Sequence, residues 1–175
     1  MQKFTPGLSK KKMRLFSSDI GATEYFSYVG NTVSVEKAIA VMAILTPDFV
    51  ERDGCIFWVP NAEEYDVVKF PMKGYQRDAS GELVASDHRQ DIERYRNNFA
   101  ISQFFSRWEK ESERSVLMVQ AGEKDHELCH IFALHIERYW RIALSESFPE
   151  RSFEFEIADN LLDEYGVCLT FWQSH

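Results

Sequence analysis

The chain has 175 residues, 45% of them hydrophobic and 14% aromatic, and a formal net charge of −8 at pH 7. That length and apolar content suffice for one domain with a true core, so folding calls for no disulfide or structural metal. The negative charge argues against nucleic acid as the main partner, because duplex binding draws on a clustered cationic face.

The charge is uneven along the chain. Residues 1–20 set Lys3, Lys10, Lys11, Lys12 and Arg14 against Asp19 alone, a sum of +4 that leaves −12 for residues 21–175. A basic, flexible N-terminal arm over 1–20 ahead of a single α+β domain over 21–175 is the expectation. The lysines run into Met13-Arg14-Leu15-Phe16-Ser17 and not into an apolar stretch, so no secretory signal is expected. The longest apolar run, Ala38–Leu45 (AIAVMAIL), is too short for a bilayer, and no membrane association is expected. Cys55, Cys129 and Cys168 are odd in number, lie within apolar segments and show no CxxC spacing. Reduced, buried thiols in a cytoplasmic protein, with no disulfides, follow from that pattern.

In chain order, Val35, Ala38, Ile39, Met42 and Leu45 fall at helical spacing, with an equally apolar opposite side, which predicts a core-buried helix over 35–45. Thr46-Pro47 stops it, and Asp53-Gly54 turns the chain into a buried strand, Cys55–Val59 (CIFWV), ended by Pro60. Asn61 and Glu64 form a capping-box pattern for a short helix over Ala62–Lys69. Met72–Asp87 is polar, holds Gly74 and Gly81, and reads as a loop. From 87 to 109 two apolar stripes disagree: Ile92, Tyr95 and Phe99 on one side, Ile101, Phe104, Phe105 and Trp108 on the other. A break at Asn97-Asn98 resolves this into helices over 87–97 and 99–109, the second capped by Asn98. A short strand over 116–119 and a long helix over 125–146 follow. The chain closes with strands over 152–158 and 166–173, in which Phe153, Phe155 and Ile157 alternate with Glu154 and Glu156. These two pair antiparallel, the 55–59 strand adds to their sheet, and helices cover it, giving an α+β fold.

Residues 126–130 read HELCH, the HExxH of zinc hydrolases. Spacing of i and i+4 sets two imidazoles on one helix face, where both reach one Zn²⁺ while the intervening Glu activates the bound water. The segment resembles the start of the metzincin pattern HExxHxxGxxH, but the Gly and third His of that pattern fall on Ala133 and Ile136. A gluzincin would take its third ligand from a later helix, whereas Glu150, Glu154 and Glu156 fall in a turn and a strand. The apolar stripe Leu128, Cys129, Phe132, Ala133, Ile136, Tyr139, Trp140, Ala143 is expected to face the core, with His126 and His130 on its polar flank. Asp125 and Glu127 also suit the helix's first turn by their charge. Cys129 adjoins His130 in sequence, but neighbours on a helix do not face each other, so no thiolate–imidazole pair forms there. There is no GxSxG elbow, phosphate-binding glycine loop or dinucleotide fingerprint.

Adjacent aromatics on a strand, Phe57/Trp58 and Phe171/Trp172, point to opposite sides. Helices must cover both sheet faces, or one face is free for a partner. The leading expectation is a non-catalytic interaction module that binds or neutralises a basic protein through Glu154, Glu156, Asp159, Asp163, Glu164 and Trp172. No cofactor belongs to that reading. The alternative is a zinc-dependent hydrolase with His126 and His130 as metal ligands and Glu127 as general base. A small-molecule pocket lined by the aromatics is a third reading, without a motif behind it.

Overall fold

A computed structural model describes residues 25–59, 73–77, 82–105, 109–111, 115–117 and 123–174, with Lys12, Leu15 and Phe16 from the N-terminal segment. Helices α1 (Tyr25–Thr32) and α2 (Val35–Leu45) come first, followed by a hairpin of β1 (Asp48–Arg52) and β2 (Cys55–Val59). The hairpin turn is the two-residue Asp53-Gly54, both at positive φ (53° and 82°), with Arg52 paired to Cys55. That geometry matches the strand twist and explains why Asp-Gly stands here.

A second hairpin joins β3 (Lys73–Arg77) to β4 (Leu83–Asp87), so the loop expected over Met72–Asp87 is largely paired strand. Polar composition hid it, since the sequence signal for a strand is apolar alternation and this stretch has little of it. The helix expected over Ala62–Lys69 lies outside the described residues. α3 (Arg89–Arg96) ends where Asn97 N–H closes on Glu93 O at 2.8 Å. The break at Asn97-Asn98 is therefore present, but no helix over 99–109 follows it. Phe99–Ala100 instead forms β5, and Ile101–Phe105 a 3₁₀ turn, with β6 (Glu109–Glu111) and β7 (Ser115–Leu117) as a further hairpin. Phe99, Ala100 and Ile101 are all buried, which a one-sided helical stripe cannot achieve. α4 (Glu123–Ser147) then crosses the domain, and β8 (Phe153–Asp159) and β9 (Val167–Gln173) complete it.

β9 is the centre of a three-stranded antiparallel sheet, β5-β9-β8, in which Phe155 faces Phe171 and Ile157 faces Leu169 across the ladder. Contrary to the expectation for 55–59, among the described residues β2 pairs only with β1, and side chains of α3 join it to β9. Glu93 and Asn97, one turn apart and fully buried, lie between the two strands. Glu93 accepts from Ile56 N–H at 2.6 Å and from Gln173 N–H at 2.7 Å. Asn97 accepts from Trp58 N–H at 3.2 Å and donates to Ile56 O at 2.9 Å and Phe171 O at 3.1 Å. β5 takes the first half of that edge of β9, and α3 side chains take the second. Buried strand edges must be satisfied, and here a helix does it in place of a strand.

Both faces of β9 are covered. Ile136, Trp140 and Leu144 of α4 pack with Leu169 and Phe171 on one side, while Thr170 Oγ1 donates to Arg94 O of α3 on the other. Trp140 sits at the middle, within 5.4–5.9 Å of the Phe49, Trp58, Phe99 and Phe171 rings, its indole N–H donated to Ile44 O at 2.9 Å. Phe57 turns to the α3 side with Val50 and Ile92, and Trp58 to the α4 side. The paired aromatics are thus accounted for by two covered faces.

The apolar surplus lies elsewhere. α2 is well formed, with Ser34 Oγ accepting from Lys37 N–H and Thr46 closing on Met42 O, yet none of its residues is buried. The helix expected at the centre of the core rests on it by Ile44 and Leu45 alone and leaves Val35, Ile39 and Met42 exposed. The core around Trp140 is already filled by aromatic rings, so α2 finds only its rim. Phe26 and Val29 of α1 are exposed as well. Among the described residues, no single helix is long and apolar enough to cross a membrane. α1 and α2 together reach that length and composition but are bent 120° apart.

Candidate functional site

The first two turns of α4 face the end of β8, and His126, Glu127, His130, Ile157, Ala158 and Asp159 line a cavity of about 410 Å³ there. α4's core stripe, Cys129, Ala133, Ile136, Trp140 and Leu144, fixes its rotation. His126 and His130 accordingly fall on the polar flank, where the sequence pattern set them, and that flank meets β8. His126 Nε2 lies 2.8 Å from Asp159 Oδ1, and both side chains are about half exposed, at 50% and 56%. Glu127 is ion-paired with Lys12. His130 is exposed one turn on. Glu127 is therefore engaged by an ammonium group, and His126 is turned to a carboxylate. Among the described residues no group of three or more His, Cys, Asp or Glu is placed to hold a metal ion. What the arrangement offers is an open surface hollow with two imidazoles and two carboxylates at its rim.

The six residues expected to meet a partner do not form one free patch. Glu156 is paired with Arg94 at 2.6 Å, and the Arg94 guanidinium also lies 5.4 Å from the half-buried Trp172 ring. Glu164 accepts from Gln103 Nε2 at 3.0 Å. Asp159 meets His126, and Glu154 accepts from the Ser174 hydroxyl at 3.3 Å. Asp163 stands exposed in the β8–β9 turn at a φ of 67°. That turn is built by Asn160, which accepts from Gly166 N–H at 3.0 Å and donates its own N–H to Gly166 O at 2.9 Å.

Three titrating groups on these elements are displaced from their usual ranges. Burial, helped by the charge of Arg138, holds His135 below the ordinary histidine range. Burial, opposed in part by hydrogen bonding, pushes the Cys168 thiol up, so it is a poor nucleophile. Burial likewise raises the Tyr25 phenol. All three cysteines are buried, and none is in a disulfide.

A second cavity, of about 220 Å³, opens at the C-terminal end of α2, with Thr46, Asp48, Trp58, Phe104 and Trp140 among its walls. Sequence reasoning did not find it. Trp58 and Trp140 were legible as aromatics, but nothing in the string places Asp48 beside them. No protein-family model matches the chain, and no curated protein or solved structure matches it either.

Proposed function

We propose that the chain is an interaction module without chemistry of its own, and that its partner is a cationic protein. The observation that carries the reading is the exposed apolar side of the helical pair: Val29 is 48% exposed, Val35 76%, Ile39 60% and Met42 64%. Single exposed apolar residues are ordinary, but a run of them along consecutive helices marks a contact surface. The sign of the charge selects the partner. Residues 21–175 carry −12, the sum left after the +4 of residues 1–20, and an acidic body attracts and orients a basic protein. Glu154, Asp159 and Asp163 belong to that field, with Glu156, Glu164 and Trp172 held by their neighbours at its edge. A cytoplasmic location is part of the proposal, since buried thiols outside disulfides suit a reducing compartment.

Calorimetric titration with a lysine–leucine amphipathic peptide tests it. Binding should weaken about tenfold or more between low and physiological salt. The double variant Ile39→Glu/Met42→Glu should weaken it similarly while leaving the melting temperature unchanged, because both side chains are already in water. Equal binding of a peptide with glutamine in place of lysine, or no binding at all, would overturn the reading.

A further inference from the structure

We infer that the cavity at the end of α2 receives an alkylammonium group, the chemistry of a plain or methylated lysine side chain. It rests on the cationic-partner reading only in naming a protein as the source of that group. At about 220 Å³ the cavity is below the roughly 300–1,000 Å³ of sites for drug-sized ligands and suits one side chain.

Three independent features of its wall favour a cation. Asp48, exposed at the start of β1, contributes a carboxylate. Ala43, Ile44 and Thr46 contribute the C-terminal turn of α2, where the helix dipole leaves partial negative charge. Trp58 and Phe104, both partly exposed, contribute aromatic rings centred 6.4 Å apart, with the buried Trp140 ring behind them 5.5 Å from Trp58. Electron-rich ring faces attract ammonium groups, most strongly when these are methylated and weakly hydrated. Two donors in the wall that would otherwise suit an anion are engaged: Trp140 Nε1 donates to Ile44 O and Thr46 Oγ1 to Met42 O. The α2 carbonyl and the indole thus fix each other, so the cavity is held open by the same contact that seats α2 on the core.

The test follows ¹H–¹⁵N shifts of the whole chain during titration with n-butylammonium, tetramethylammonium and neutral n-butanol. Both ammonium ions should shift the Trp58 and Trp140 indole signals and the amides near Asp48, with millimolar Kd expected for probes this small. Butanol should bind at least fivefold more weakly. Asp48→Asn, a change at an exposed position that leaves the fold intact, should weaken butylammonium by about fivefold at low salt and leave butanol alone. Butanol binding as well as butylammonium, or an Asp48→Asn variant that binds as the parent does, overturns the assignment. A lysine-containing peptide and its trimethyl-lysine form separate the sources. If either moves the same signals, a protein side chain is the occupant. If butylammonium enters and neither peptide binds, the cavity stands as a free-amine site and the cationic-partner reading falls. If the peptides bind but miss Trp58 and ignore Asp48→Asn, the partner reading stands and this cavity's role falls.

Discussion

Glu93 holds Gln173 at two points, accepting its backbone N–H at 2.7 Å on one carboxylate oxygen and its carboxamide N–H at 2.5 Å on the other. The first oxygen lies on the β9 backbone, and the second also takes Ile56 N–H of β2. Gln173 in turn donates to Gly54 O at 2.8 Å and accepts from Arg151 at 2.9 Å. One carboxylate therefore joins the β1–β2 hairpin to the sheet of β8 and β9. The three N–H groups named against its oxygens are all donors, so an amide in its place would turn an N–H toward an N–H.

Glu93→Gln is accordingly expected to destabilise the fold by about 2–4 kcal/mol, more than the about 1 kcal/mol of a single neutral hydrogen bond. Urea unfolding of the two proteins side by side measures it. A loss under about 1 kcal/mol would mean that the hairpin is held by its apolar contacts alone.

The two glycines at positive φ separate strain from space. Gly54 has φ 82° and Gly166 φ 86°, but an added Cβ would meet Arg89 Nη1 at 2.9 Å at the first and nothing within 4 Å at the second. Both Gly→Ala changes should cost about 1–2 kcal/mol from backbone conformation. Gly54→Ala should cost more, because Arg89 must also move aside. Asparagine, which tolerates the left-handed region, should recover most of the loss at 166 and less at 54. Equal recovery at both positions, read from melting temperatures, would deny the Arg89 contact any role.

The elements that the string revealed are those whose burial repeats at one period. α4 and β8 show it plainly: Cys129, Ala133, Ile136, Trp140 and Leu144 at helical spacing, Phe153, Phe155 and Ile157 at alternate positions. α2 misled because apolar content says that a face wants cover, not that cover exists. Phe99–Ala100 misled because a two-residue strand is too short to outweigh helical spacing on either side. Glu93 and Asn97 were unreadable in principle: a charged residue and an amide on a polar helix look solvated until a strand edge without a partner strand is seen opposite. At the candidate sites, the flank position of His126 and His130 was legible from the phase of α4, while their neighbours Asp159 and Lys12 were not.

His126 and Asp159 give a direct check on the HELCH segment. Both are about half exposed, so His126→Ala or Asp159→Asn should cost only about 0.2–1 kcal/mol, the range for surface ion pairs. Protein prepared without chelator should carry zinc far below one equivalent, with no change in His130→Ala. Zinc near one per chain that disappears in His130→Ala would establish the hydrolase alternative, with Glu127 released from Lys12 to act on metal-bound water.

His135 predicts how stability responds to acid. Its side chain is partly buried on α4, and burial first, then the charge of Arg138, makes its protonated form costly in the folded protein. The unfolded chain takes up the proton at the ordinary value of about 6.5, while the folded chain resists until a lower pH. Between those two points the unfolded state holds more protons, so stability falls as pH falls. Above about 6.5 both states are neutral and this group contributes no slope. Melting temperatures should therefore be flat in this respect from pH 8 down to about 6.5 and decline below it, with His135→Gln showing a shallower decline. The variant leaves unchanged His88, which lies beside Asp91, His126, which lies beside Asp159, and His130. If His135→Gln declines as steeply as the parent between pH 6.5 and 5, the acid sensitivity does not come from His135.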